Sequence, residues 1–166
     1  MNKSTNIARG GLFTALGVLF IYLSTVIPTS RLYVLGLASC IVPMSIMMTN
    51  VKNGFIVYAA TSLLSLLIVG FKSNVIAYII FFGLYGFVKF YVERLRNMTY
   101  EIILKLLFFN LALGIIYIFA TLFFPSLIKI NISIYMALVM VQFIFIVFDY
   151  ALTLFIAYVN RTIIKR

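Results

Sequence analysis

The sequence predicts an all-α polytopic membrane protein, a bundle of six transmembrane helices with both termini on the cytoplasmic side. Composition, the length of the apolar runs and the distribution of basic residues predict it. Of 166 residues, 65% are hydrophobic and 10% are charged, with a mean hydropathy of +1.20, whereas a soluble domain carries about 25% charged residues. A water-soluble fold of this size leaves much of its chain exposed, and too few polar side chains are present to solvate that surface. The solvent is therefore lipid.

Six apolar stretches, separated by short clusters of Pro, Asn, Ser, Lys or Arg, are each long enough to cross roughly 30 Å of hydrocarbon as a helix. They run from Gly10 to Ile27, Tyr33 to Thr49, Gly54 to Gly70, Val75 to Val92, Ile102 to Phe124 and Ile132 to Val159, and together make one integral membrane domain over residues 1–166. Short connections make neighbours in sequence antiparallel neighbours in space. A β-barrel needs strands of about ten residues with one polar face, and these runs are apolar on both faces.

The first stretch follows Lys3 and Arg9 and imitates a signal peptide. No small-residue cleavage site follows Val26, and five further spans do, so the reading is a retained helix. Near its start, Gly11 and Ala15 form a small-x-x-x-small pair with Gly10, Thr14 and Gly17 beside them. Such a surface admits close approach of another helix, either a neighbouring span or a separate subunit.

The second stretch holds the lone Cys40, which reads as a small packing residue. In the third, Tyr58, Thr61, Ser62 and Ser65 share a face at helical spacing; in the fourth, Tyr78 and Tyr85 do so, with Gly83 and Gly86 nearby. Small and hydroxylated stripes serve close packing or contact a ligand.

The last two spans carry the most informative polar residues, because polar groups are costly in a bilayer. Asp149 is the only acid within an apolar span, so it requires a partner or a cavity. A depth count on antiparallel fifth and sixth helices brings Asn110 near the level of Asp149 and Tyr117 near that of Gln142. Within each helix the two residues are seven apart and share a face. These four residues either line a substrate or proton pocket or form interhelical hydrogen bonds.

Basic residues are retained on the cytoplasmic side during insertion. With the N-terminus inside, the inner side holds Lys3, Arg9, Lys52, Lys89, Arg94, Arg96, Lys105, Arg161, Lys165 and Arg166, and the outer side only Arg31, Lys72 and Lys129. The inner link also holds Glu93 and Glu101, spaced four residues from Lys89 and Lys105 as helix-surface pairs are. The net charge of +10 is thus explained by topology and by contact with anionic lipid, and no nucleic-acid partner is expected. The three outer cations attract an anionic solute if they converge; otherwise they anchor helix ends.

With no His, one Cys and three acids, the chain cannot assemble a catalytic zinc site or a Ser/His/Asp or Cys/His constellation. No catalytic residue, metal or cofactor is expected, and the chain does not read as an enzyme. It also lacks the glycine-rich phosphate loop of an ATPase.

Six short-looped spans opening on "ARGGLFTALGVLF" resemble the substrate-binding S components of energy-coupling factor (ECF) transporters. In that family an Ala-x-x-x-Ala motif on the first helix docks on a transmembrane coupling subunit, driven by two cytoplasmic ATPases. Gly11 and Ala15 stand at the matching positions, with glycine in place of the first alanine. The link between the first two helices, Pro28 to Leu32, is shorter than in many members; Pro125 to Asn131 is the longest outer link available as a lid. The resemblance implies uptake of a small molecule of the vitamin or micronutrient class across a bacterial cell membrane. Capture in an outward-facing pocket would precede reorientation of the subunit by its ATPase partners.

Two other readings fit the same spans. One is a membrane scaffold resembling the six-span subunits of the cell-shape machinery, docking partners through the segment from Lys89 to Lys105 and the basic tail. The other is a proton-coupled carrier using Asp149, although the repeated halves of many carriers are not evident.

Overall fold

In a computed structural model the chain is described over residues 3–95, 97–123 and 134–164. The described residues contain helices and no strand, and six helical spans are long and apolar enough to cross a membrane. The chain is accordingly a six-span helical membrane protein. Helix α1 covers Lys3–Val26, α2 Arg31–Ser39, α3 Ile41–Met48, α4 Val51–Val69, α5 Ser73–Ala77, α6 Gly83–Val92, α7 Met98–Phe123 and α8 Ile134–Val159. The pairs α2/α3 and α5/α6 each form one span.

The helices begin outside the predicted apolar stretches in several places. Helix α1 starts at Lys3, α4 at Val51 and α7 at Met98, because charged and polar residues continue a helix readily beyond the hydrocarbon core. Asn50 caps α4, its side chain accepting from the Asn53 amide at 2.8 Å. Gly70, at φ 81°, ends it in a backbone region that side chains disfavour.

The second span is not continuous. Proline lacks an N–H and its ring collides with the carbonyl four residues back, so Pro43 at the third position of α3 is incompatible with an unbroken helix through Ser39. The chain breaks at Cys40, whose amide bonds three residues back to Leu37 at 3.1 Å. The Cys40 thiol meets the Gly36 carbonyl at 3.5 Å, consistent with a packing role.

The fourth span contains a π turn over Tyr78–Phe82. A π turn frees a backbone carbonyl from the α-helical ladder, and here the Tyr58 hydroxyl donates to Ile79 O at 2.8 Å. Gly83 makes room for that ring: a Cβ there would lie 2.6 Å from the Tyr58 ring carbons. Gly86 likewise receives Pro43, at 2.8 Å from such a Cβ. Thr61, Ser62 and Ser65 are all buried on the face of α4 that turns inward.

Helix α1 presents two adjacent faces to different surroundings. Gly10 and Gly17 pack on Asn53 and Thr61 of α4, with Cβ positions 3.1 and 2.8 Å from those side chains, and Thr14 is buried between them. Gly11 and Ala15 lie on the exposed side, and a Cβ on Gly11 would meet nothing within 4 Å.

The main core gathers Ile21, Leu35, Tyr78, Phe81, Tyr85, Phe109 and Phe145. Helices α7 and α8 are its least buried contributors, with 17% and 11% of their apolar windows inside. Their contacts nonetheless fix an antiparallel register: Phe109 stacks on Phe145 at 4.2 Å between ring centroids, and Gln142 donates to Asn110 at 2.7 Å.

Candidate functional site

All three acids of the chain, Glu93, Glu101 and Asp149, meet in one cluster. Helix α6 carries Tyr85 and Lys89 one helical turn apart, on a face directed at α8; α7 brings Lys105 and α8 brings Asp149. Lys89 ion-pairs with Asp149 Oδ1 and, at 2.8 Å, with Glu93. Lys105 lies 3.0 Å from Asp149 Oδ2, 2.6 Å from Glu101 and 3.2 Å from Glu93. Tyr85 donates to Asp149 Oδ1 at 2.6 Å. The Thr153 hydroxyl accepts from Lys89 at 2.7 Å and donates to the Asp149 carbonyl at 2.9 Å.

Both lysines are buried, Lys89 at 0% and Lys105 at 4% exposure, whereas the carboxylates keep between 21% and 31% of their side-chain surface. The ammonium groups therefore sit inside a shell of oxygen acceptors that reaches toward the end of the bundle where both Lys3 and Ile164 lie. Desolvated ammonium groups are tolerated only with close acceptors, and the three carboxylates, a tyrosine and a threonine supply them. Chemically the arrangement is an ion-pair clamp that joins three helices.

The predicted pairs Lys89 with Glu93 and Glu101 with Lys105 both form, but on the inward side of their helices. The sequence reading counts both lysines as membrane-edge residues and leaves Asp149 without a named partner. The missing signal is the four-residue spacing of Tyr85 and Lys89, which puts a phenol and an ammonium on one face of a span.

The polar residues of α7 and α8 occupy a register different from the depth count. Asp149 is met by Lys105, and Asn110 by Gln142, which displaces the alignment by about two helical turns. A depth count centres each apolar run in the bilayer and contains no axial stagger; side-chain pairing and the Phe109–Phe145 stack set the stagger. Asn110 is exposed, its amide also donating to Leu106 O at 2.8 Å, and Tyr117 is 56% exposed.

Two cavities bear on ligand binding, and neither is lined by Asp149, Asn110, Gln142 or Tyr117. One, of about 260 Å³, lies at the end of the bundle opposite the cluster and is lined by Thr25, Arg31, Lys72, Ser73 and Asn74. It brings together two of the three predicted outer cations; Lys129 and the segment Pro125 to Asn131 lie outside the described residues. The other is an apolar groove of about 650 Å³ between α4 and α6, with walls that include Phe55, Leu84, Phe87 and Phe108 and with Lys52 at its edge.

Cluster, basic cavity and bundle define a class, the six-span helical membrane protein with a charge clamp at one end and a cationic recess at the other. Comparison with protein-family models, curated proteins and solved structures gives no match.

Proposed function

We propose that the chain is the membrane-embedded solute-binding subunit of an uptake system in a bacterial cell membrane, docking through α1 on a transmembrane coupling subunit driven by two cytoplasmic ATPases. The observation that carries this reading is the division of α1 into two faces. Gly10, Thr14 and Gly17 satisfy the internal contact with α4, while Gly11 and Ala15 remain on the exposed side. With Ala8 they form a shallow strip flanked by Leu12, Leu16 and Leu19. A strip of small residues bordered by large ones accepts a second helix at short range, and among the described residues no helix of this chain fills it.

The scaffold reading makes the segment from Lys89 to Lys105 and the basic tail its docking surfaces, the tail ending beyond the described residues. Within the segment both lysines are buried and neutralised by this chain's own carboxylates, so they offer nothing to a partner. The proton-carrier reading requires a carboxylate free to exchange a proton with a pathway, whereas both oxygens of Asp149 are taken up by ion pairs with Lys89 and Lys105.

The test is the double variant Gly11→Leu with Ala15→Leu, affinity-purified from the native host in mild detergent with mass spectrometry of the bound proteins. The expected outcome is recovery of a membrane coupling subunit and an ATPase pair with the unaltered chain and their loss with the variant. Recovery of the same partners with both, or of cell-wall proteins with the unaltered chain, overturns the reading.

A further inference from the structure

We propose that the cavity bounded by Arg31 and Lys72 is a binding site for an anionic group, a phosphate or a carboxylate, presented at the end of the bundle opposite the Lys89–Asp149 cluster. Arg31 and Lys72, both exposed, line the same recess of about 260 Å³, and like charges that share one small space raise each other's free energy. The chain has three acids in all, and each is held in the cluster with Lys89 and Lys105 at the far end of the bundle. No carboxylate of this chain is left to neutralise the pair. An anion that compensates the pair is therefore one supplied from outside the chain's own side chains.

The recess is built to hold its shape. Gly70 turns the chain at φ 81°, the Lys72 amide bonds to Gly70 O at 3.0 Å, and Lys72 O accepts from Val75 and Ile76 at 3.0 and 3.2 Å. Asn74 donates to Ser24 O at 2.9 Å, tying the start of α5 to the end of α1. Arg31 is fixed as the first residue of α2. Ser73 adds a hydroxyl beside the two cations, while the Thr25 hydroxyl donates to Ile21 O at 3.3 Å, and guanidinium with ammonium is a donor set suited to phosphate or carboxylate oxygens. Its volume lies below that of sites for whole drug-sized molecules, so it takes the anionic end of a ligand.

Two sources supply such a group, a dissolved solute and the headgroup of an anionic phospholipid. The inference rests on the recess alone and is independent of the docking face of α1.

The experiment is binding calorimetry on the purified full chain in a non-ionic detergent, titrated separately with inorganic phosphate, with acetate and with a water-soluble short-chain phosphatidylglycerol. At least one probe is expected to bind saturably. The variant combining Arg31→Gln and Lys72→Gln should weaken it by about tenfold or more. Arg31→Lys, which keeps the charge, and Lys52→Gln, at the other end of the bundle, should retain binding. Saturation by phosphate or acetate identifies a solute site, and saturation by phosphatidylglycerol alone identifies a headgroup site. Absence of saturable binding by all three probes, or equal binding by the charge-neutralised variant with its helical circular dichroism intact, overturns the proposal.

Discussion

Lys89 and Lys105 hold opposite oxygens of one carboxylate: the first ammonium meets Asp149 Oδ1, the second lies 3.0 Å from Oδ2. One lysine comes from α6 and the other from α7, so the carboxylate on α8 ties three helices at a single point. This matters because α7 and α8 bury little of their own surface. Apolar side chains gain little by leaving lipid for a protein interior, so helix association in a bilayer depends on packing and polar contacts.

Asp149→Asn removes the charge that both lysines share while conserving volume. Each ammonium retains a glutamate, Glu93 for Lys89 and Glu101 for Lys105, so the loss is partial, about 3 kcal/mol. Replacing the pair together, Lys89→Met with Asp149→Leu, leaves Lys105 with Glu93 and Glu101 and creates no orphaned charge. The double variant should be more stable than the sum of its single variants by about 1 kcal/mol or more. Thermal denaturation in detergent checks both, and strict additivity would show that the residues do not act as a clamp.

How much of this was legible in the sequence follows from what each signal measures. Six spans are visible because hydropathy is summed over a window and local errors cancel. The break at Cys40 is invisible to hydropathy although Pro43 causes it, since a window average is blind to one absent N–H. Gly11 and Ala15 stand out as a small pair, but periodicity cannot say which side of α1 faces the bundle; the close approach of Gly17 to Thr61 does. The convergence of Arg31 and Lys72 depends on the turn at Gly70 and on where α2 begins after α1, both set by tertiary contacts. Asp149 was legible as a residue in need of a partner, while its partners were hidden by counting Lys89 and Lys105 as edge charges.

The two sides of α1 give opposite expectations for the same mutation. Gly17→Ala drives a methyl to 2.8 Å from Thr61 Cγ2, a separation that forces the helices apart. A loss of about 1 to 3 kcal/mol is expected, partly recovered by Thr61→Ser, which deletes that methyl. Gly11→Ala meets nothing within 4 Å, so stability should hold or rise slightly through helix propensity. Melting temperatures of the three variants decide the matter, and equal losses at Gly11 and Gly17 would contradict the assignment of faces.

Asn110 and Gln142 make a hydrogen bond on a largely exposed part of the α7/α8 pair. In membranes such bonds contribute about 0.6 kcal/mol on average, and the Phe109–Phe145 stack one layer away secures the same register. Gln142→Leu should therefore cost less than about 1 kcal/mol and leave the fold unchanged, in contrast to Asp149→Asn. A loss as large as that of Asp149→Asn would mean that the polar pair, and not the charge clamp, holds the helices.

The Tyr58 hydroxyl is the partner of a carbonyl that the π turn exposes, Ile79 O at 2.8 Å. Tyr58→Phe keeps the ring in the notch at Gly83 but deletes the donor, leaving Ile79 O without that bond in an apolar region. A cost of about 1 to 3 kcal/mol follows. Deleting Ile80 should restore a regular α-helical ladder through the turn, because a π turn absorbs one extra residue, and so should leave Tyr85 and Lys89 facing Asp149 while removing the freed carbonyl that Tyr58 serves. The loss caused by Tyr58→Phe should therefore shrink in the deletion background. Thermal stability of Tyr58→Phe with and without the deletion, measured in detergent, checks this: an equal loss in both backgrounds would mean that the Tyr58 hydroxyl does not serve the carbonyl that the π turn frees.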